Sequence, residues 1–358
     1  MADSPSGLRT RHQRRSLMLM LLVIVALHVL GWGLFVLAVL PGNYRLGGTH
    51  AFGLGVALAA YTLGIRHAFD ADHIAAIDNT TRKLVEQHGP ARPLGVGFWF
   101  ALGHSTVVLV AVGLLAGGFN LLAAQLADDQ SPFLRAAGLW GALVSGLFLL
   151  LLGGTNLASL NNIRKLLAGY QQGTYLQEEL EETLRRRGIL NRLLAPVVGM
   201  VDRPAKMYPV GLLFGLGFDT ATTIGLFVIA GGAALTLPWY VVLVLPLLFA
   251  AGMVTCDTVD GLLMQRAYQW AFDHPLRRLY YNLVVTSVSV VVAFLVAAVV
   301  LFGALSEGLN LTTGPVAWVA GLDLENFGFI VAAAFLLIWA AALAYWKFSA
   351  AGQRQSGS

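Results

Sequence analysis

The chain has 358 residues, of which 57% are hydrophobic and 12% are charged, and its mean hydropathy is +0.71. A soluble domain carries about 25% charged residues, so the composition excludes an ordinary soluble protein and indicates an all-α polytopic membrane protein. The single cysteine, Cys256, excludes an internal disulfide and a thiolate cluster for zinc or copper. The net charge of +4 does not indicate nucleic-acid binding, because the basic residues lie in loops between apolar segments.

Eight segments are long and apolar enough to cross a bilayer, which takes roughly 20 residues. They are residues 17–40, 51–78, 94–118, 133–156, 207–232, 237–262, 281–304 and 327–347. The apolar run of the first segment is longer than that of a signal peptide, so we expect a retained helix. Residues 17–347 are predicted to form one eight-span domain with a polar loop at 160–206, flanked by an N-terminus (1–16) and a C-terminal tail (348–358).

The positions of the basic residues predict the orientation, because Lys and Arg are enriched in cytoplasmic loops. With both termini placed in the cytoplasm, all but three of the 23 Lys and Arg fall on the cytoplasmic side. Among these, Arg82, Lys83 and Arg92 are assigned to the loop after the second span. The exceptions are Arg45 and Arg135 on the outer side, and Arg66 within the second span. The sequence therefore predicts a multi-pass protein of the cytoplasmic membrane.

The second span contains the run RHAFDADHI, with two imidazoles and two carboxylates at bilayer depth. Ionisable groups there are costly unless they face a cavity, a partner or an ion. On an ideal helix His67, Asp70 and His73 share one side, whereas Asp72 points away. A straight helix therefore cannot present all four side chains to one ion. Either the helix is distorted at this point, or Asp72 faces another helix.

A His-Asp-His face supplies neutral nitrogen and anionic oxygen, which suits Ni²⁺ or Co²⁺. The carboxylates also fit a second role, in which each fixes the tautomer of a metal-binding histidine. The alternative without a metal is a buried ion-pair network with Arg66.

Polar residues recur in other spans and are expected to converge on one internal cavity, because placing all of them against lipid would be prohibitive. The third span offers His104 as a further metal-binding nitrogen. The span-five pair Phe218-Asp219 resembles Phe69-Asp70 of span two, and the two spans run in opposite directions, as in an inverted repeat. The candidate residues of the transport path are Asp219, Thr220, Asp257, Asp260, Asn282 and His28.

These motifs resemble those of the nickel/cobalt transporter family of permeases. The family's H-x4-D-H element matches His67 to His73, and its LGHST element matches Leu102 to Thr106. Its GFDTATE element matches Gly217 to Thr222, but Thr223 stands where the family usually has Glu. Its GM-x3-D-T-x-D element matches Gly252 to Asp260. The resemblance covers about residues 20–300.

The resemblance implies a secondary transporter that imports Ni²⁺, Co²⁺ or both with high affinity, with the ion as substrate and no permanently bound cofactor. It makes His67, Asp72 and His73 the essential recognition residues and places His104 and the acids of spans five and six along the route. Phe69 and His28 favour transport of both metals. The implied surroundings are the lipid bilayer and the metal ions, with no nucleic acid and, since the chain lacks a Walker-type phosphate loop, no ATPase subunit evident.

Three other functions compete with import. An exporter of the same metals is the nearest, because the ligands do not encode direction. An intramembrane enzyme would use His67 and Asp72 as an acyltransferase H-x4-D pair, but the chain lacks the catalytic domain that such enzymes place at the membrane interface. A purely structural subunit would not explain the density of buried acids.

Overall fold

The computed structural model describes residues 5–46, 50–88, 94–118, 131–171, 201–217, 221–272, 275–322 and 326–348. Within these ranges nearly every residue is helical, in agreement with the predicted all-α class. The β-structure described there is a two-residue ladder, in which β1 (Arg45–Leu46) pairs antiparallel with β2 (His50–Ala51).

The first helix, α1, is long and continues through a π-helical stretch, Phe35–Val39, and a short helical segment, Leu40–Gly42. In chain order the described helices are α1 (Pro5–Leu34), α2 (Leu54–Ala68), α3 (Ala71–His88), α4 (Val96–Ala116), α5 (Pro132–Gln171), α6 (Met207–Gly215), α7 (Ala221–Ala234), α8 (Trp239–Val242), α9 (Val244–Phe272), α10 (Pro275–Gly308), α11 (Gly314–Ala320) and α12 (Phe327–Phe348). A 3₁₀ turn, Pro204–Lys206, leads into α6.

Six helices of the described part are long and apolar enough to cross a membrane. They are Gln13–Gly42, Val96–Ala116, Arg135–Lys165, Trp239–Trp270, Leu283–Gly308 and Phe327–Tyr345. They coincide with the first, third, fourth, sixth, seventh and eighth predicted spans. The total of eight spans and the cytoplasmic placement of both termini stay predictions.

The second and fifth predicted spans are each divided into two helices. In the second, α2 ends at Ala68 and α3 begins at Ala71. In the fifth, α6 ends at Gly215 and α7 begins at Ala221. The first interruption is Phe69-Asp70, and the second includes the turn Leu216-Gly217. Phe218-Asp219 lies outside the described residues. Non-helical backbone at membrane depth is tolerated only where protein or a water-filled cavity surrounds it, so both interruptions indicate interior positions.

The assignment of Arg82 and Lys83 to a loop was wrong, and their placement on the cytoplasmic side stays a prediction. Helix α3 runs on to His88, and both side chains are buried. Arg82 Nη1 donates to Thr286 Oγ1 at 2.9 Å, and Lys83 Nζ donates to the carbonyl oxygen of Val201 at 3.2 Å. The helix continues past the limit set by hydropathy because neighbouring segments supply acceptors for these cations. Helix α5 also extends beyond its predicted span, because it ends at Gln171 within the predicted loop of residues 160–206.

Two clusters of buried apolar residues form the core, and helices α4 and α9 contribute to both. One cluster joins them to α1, α2 and α7, and the other joins them to α3, α10 and α12. The two central helices approach closely, since a Cβ atom added to Gly97 of α4 would overlap the carbonyl oxygen of Asp257 on α9. Small residues permit such close helix contacts in membranes.

Candidate metal centre

The interruption of the second predicted span brings His67 and His73 together. The amides of Phe69 and Asp70 donate to the carbonyl oxygens of Arg66 and His67, each at 3.0 Å, and these bonds end α2. Asp70 then begins the next helix, because its carbonyl oxygen accepts from the amide of Ile74 at 3.2 Å. The turn places the imidazole centroids of His67 and His73 4.6 Å apart. The helix is therefore distorted at this point, which was one of the two alternatives for the second span.

His104 of α4 completes a group of three histidines. Its Nε2 atom lies 2.9 Å from Nε2 of His67, and its ring centroid lies 5.0 Å from that of His73. One nitrogen from each residue lies within 4.8 Å of the other two. The three side chains are buried, with exposed fractions of 1%, 1% and 5%. We call His67, His73 and His104 the histidine triad.

A carboxylate stands behind each of the two histidines at the interruption. Asp70 Oδ2 lies 2.7 Å from Nδ1 of His67, and Asp257 Oδ2 of α9 lies 3.3 Å from Nδ1 of His73. Metal-binding histidines commonly donate their other ring N–H to a carboxylate, which fixes the tautomer and raises the basicity of the ligand nitrogen. For His67, Nδ1 hydrogen-bonds with Thr222 Oγ1 at 2.9 Å, and Asp70 contacts it at ion-pair distance without hydrogen-bond geometry. A proton on Nδ1 of both rings would leave Nε2 of each as a lone-pair donor.

Aromatic rings and one hydroxyl line the rest of the triad. The ring of Phe100 meets His73 edge-on at a centroid distance of 4.8 Å, and Phe249 lies 5.5 Å from His67. Thr222 Oγ1 of α7 lies 2.9 Å from Nδ1 of His67. The apolar walls reduce access of water to the nitrogens, and so strengthen electrostatic interactions with a cation inside the site.

The comparisons with known proteins show the family to which the chain belongs. A family model described as high-affinity nickel-transport protein, NicO, matches residues 53–345. The chain belongs to the nickel/cobalt transporter family. No solved structure matches it.

Several characterised members of the family align along nearly the whole chain. The nickel transporter NicT of Mycobacterium tuberculosis is 50% identical over 338 residues, covering 94% of this chain and 90% of its own. The cobalt transport protein NhlF of Rhodococcus rhodochrous is 40% identical, covering 95% and 94%. The nickel transporter NixA of Staphylococcus aureus is 38% identical, covering 94% and 96%. The resemblance inferred from the four motifs is therefore confirmed.

The remaining predicted metal ligand, Asp72, lies beside the triad and not in it. It is in the first turn of α3, where its Oδ1 accepts from the backbone amide of His73 at 3.0 Å. Asp72 therefore helps to start α3 at the residue that carries the second imidazole. Asp70 contacts the imidazole of His67, whereas Asp72 contacts the backbone of His73.

The predicted path residues are more widely spread. Asp260 follows Asp257 by three residues on α9, and Asp260 Oδ2 and Asp257 Oδ1 are buried without a hydrogen-bond partner among the described residues. His28 lies apart from the triad, with Nδ1 2.8 Å from the carbonyl oxygen of Ile24 and Nε2 3.2 Å from Tyr61 Oη. Asn282 lies in α10, but its side chain is outside the described part. Asp219 and Thr220 also lie outside the described residues.

Sequence reasoning did not predict the contacts that Thr222, Phe100 and Phe249 make with the triad. It also did not predict a second polar cluster around Asp78 on α3. In that cluster Asp78 accepts from Tyr268 Oη at 2.5 Å and from Ser289 Oγ at 2.7 Å, while Arg82 binds Thr286. The polar run that follows Asp78 in the sequence was available as a signal. In the sequence, however, the charged residues of this run end the apolar segment and therefore favour a loop.

Proposed function

We propose that this protein imports Ni²⁺, Co²⁺ or both across the cytoplasmic membrane, and that the ion binds the histidine triad on the way. The observation that carries the proposal is the triad itself: three buried imidazoles from two sides of a helix interruption and a neighbouring helix. Names of relatives support the substrates, since NicT is called a nickel transporter and NhlF a cobalt transport protein.

The chemistry of the site favours a late first-row dication. Imidazole nitrogen suits Ni²⁺ and related ions, whereas Mg²⁺ and Ca²⁺ prefer all-oxygen sites. Two nitrogens bound at right angles, each about 2 Å from an ion, would be about 3 Å apart. The 2.9 Å separation of Nε2 of His67 and Nε2 of His104 is of this size.

The acids then provide a route away from the triad. Asp257 contacts His73 with one oxygen and leaves the other without a partner among the described residues, and Asp260 follows one turn later. We infer that the ion is received by the triad from the outer side, passes these carboxylates and leaves inward. Asp219 and Thr220, together with Asn282 and His28, remain path candidates from the sequence.

Import needs no ATP on energetic grounds. Each elementary charge gains about 2.3 kcal/mol on crossing 100 mV, so a dication gains about 4.6 kcal/mol. That supports roughly a thousandfold accumulation, because every 1.4 kcal/mol corresponds to about tenfold.

The decisive experiment is uptake of radiolabelled Ni²⁺ and Co²⁺ at nanomolar concentration into cells that express the full chain. His67→Ala, His73→Ala and His104→Ala are each expected to abolish accumulation. Thr106→Ala is the matched control, because Thr106 lies on the same helix as His104 but bonds Leu102 and Tyr208. Retention of wild-type uptake by all three histidine variants would contradict the triad as the ion site.

Efflux of the same metals is the alternative function, because the triad contains no directional information. A strain that lacks an importer starves for nickel or cobalt, whereas a strain that lacks an exporter is poisoned by them. Wild-type accumulation at or below the empty-vector level, together with faster loss from preloaded cells, would replace import by efflux.

A further inference from the structure

We propose that the last helix, α12, sets the position of the metal ligands, and that Gly328 and Phe329 are positioning residues for the triad. The inference rests on the proposed function, since it concerns the same ion site. Neither residue belongs to the four motifs, which end at Asp260.

The first turn of α12 lies directly against the interruption between α2 and α3. The backbone at Gly328 comes so close that an added Cβ atom would overlap the carbonyl oxygen of Phe69 and approach the amide of Ala71. One residue further on, the ring of Phe329 stacks on that of Phe69, with centroids 4.5 Å apart and planes at 17°. Backbone and side chain of α12 thus contact the same residue of the interruption.

The packing further along α12 holds this contact in place. Val331, Ala332 and Phe335 are buried in the cluster that also contains Ile74 and Ile77 of α3. The first turn of α12 therefore moves with α3 and not as a free end.

A short series of contacts connects Phe69 to the triad. Its neighbour Asp70 lies 2.7 Å from Nδ1 of His67, and Nε2 of the same ring lies 2.9 Å from His104. Since Phe69 and Asp70 form one turn that is fixed by bonds to Arg66 and His67, a shift of Phe69 moves Asp70 with it. The orientation of the His67 ring consequently depends on where α12 lies.

A metal site tolerates only a small displacement of its ligands. Ligand constellations must be held within about 0.5 Å of their working geometry, and changes in residues that orient ligands typically cost about 10–100-fold in metal affinity. A methyl group at Gly328 cannot be accommodated without moving a backbone carbonyl of the interruption, which exceeds that tolerance.

The test compares KM and maximal rate for Ni²⁺ and Co²⁺ uptake by the full chain. Gly328→Ala is expected to raise KM about tenfold or more. Phe329→Leu is expected to raise KM by a smaller factor. In both variants the maximal rate should change less than KM does. Phe329→Tyr keeps the stacked ring and is expected to restore a KM close to that of the wild type. Membrane levels and melting temperatures of the purified proteins are measured beside them.

Each variant has a matched control. Gly303→Ala places the same methyl group on α10, where an added Cβ has open space. Phe302→Leu removes a ring that is 38% exposed, against 40% for Phe329. Both controls are expected to leave KM unchanged.

Unchanged KM for Gly328→Ala and Phe329→Leu in normally inserted protein would overturn the inference, and so would a loss of maximal rate alone. If Gly328→Ala fails to reach the membrane, the comparison of Phe329→Leu with Phe329→Tyr decides by itself. His67→Ala separates this inference from the proposed function: if it transports normally, the ion site is wrong, and if only the α12 variants transport normally, the positioning role is wrong.

Discussion

Asp257 on α9 and His73 on α3 are 184 residues apart in the sequence, yet their side chains meet at 3.3 Å inside the protein. Asp257 is fully buried, and its second oxygen has no hydrogen-bond partner among the described residues. In the proposed route this acid has two roles: it orients an imidazole of the triad, and it offers an oxygen to an ion that leaves the triad.

The pairing predicts that Asp257→Asn weakens metal binding without preventing assembly of the protein. The amide keeps the shape of the carboxyl group but removes the charge that raises the basicity of His73. We expect KM for Ni²⁺ uptake to rise about 10–100-fold. Asp202→Asn is the matched control, since Asp202 is 55% exposed and bonds Lys206 at 2.7 Å. A KM equal to the wild-type value would show that the contact has no bearing on the ion.

Loading the purified protein with Ni²⁺ tests the ligand set directly. X-ray absorption spectroscopy of the wild type should show imidazole scattering from the triad, and His104→Ala should lose one imidazole from the fitted set. The reason is that His104 would contribute Nε2, which lies 2.9 Å from Nε2 of His67. The alternative result, an unchanged imidazole signal in His104→Ala, would place the ion elsewhere.

Close packing at Gly97 gives a prediction about stability. Replacing Gly by Ala within an ordinary helix gains roughly 1 kcal/mol of helix propensity. At Gly97 the new methyl group would overlap the carbonyl oxygen of Asp257, so we expect Gly97→Ala to destabilise the fold by about 1–3 kcal/mol, as overpacking does. Gly113→Ala on the same helix is the control, because its nearest neighbour, Leu243 Cδ2, is 4.0 Å away. Thermal unfolding in detergent measures both, and equal melting temperatures would contradict the close contact.

The sequence was sufficient for the features that depend on composition and local spacing. Hydropathy located the six long helices. The density of ionisable groups in the second and third spans predicted that His67, His73 and His104 face the interior, where the structure brings them together. These features were predictable because apolar length and the cost of ionisable groups in lipid act on each segment separately.

The sequence was not sufficient for features that depend on which segments touch. Arg82 was assigned to a loop because its charge ends an apolar run, whereas Thr286 on α10 supplies an acceptor that permits its burial. The eighth span looked like a plain apolar helix, whereas its Gly328 meets the carbonyl oxygen of Phe69. Neither contact has a local signature, since both join residues more than 200 positions apart.

The polar cluster around Asp78 predicts a structural role that is separable from transport. Tyr268→Phe removes one of two hydroxyl donors to a fully buried carboxylate. Leaving a buried acceptor less satisfied costs about 1–3 kcal/mol, so we expect a lower melting temperature and an unchanged KM for Ni²⁺. Tyr240→Phe is the matched control, because it removes a hydroxyl that contacts Tyr44 in a partly buried position.

The last prediction concerns Arg82, which is buried one turn after Asp78 on α3. Removing one member of a buried charge pair typically costs about 3–5 kcal/mol, whereas replacing both by apolar residues is often close to neutral. Asp78→Leu alone should therefore destabilise the protein strongly, because it leaves a cation that is 2% exposed without the buried carboxylate one turn away. Adding Arg82→Met to Asp78→Leu should recover much of the lost stability, measured as the melting temperature of the double variant against both single variants. Strictly additive losses would show that the two charges do not compensate each other, and that Arg82 is stabilised by Thr286 alone.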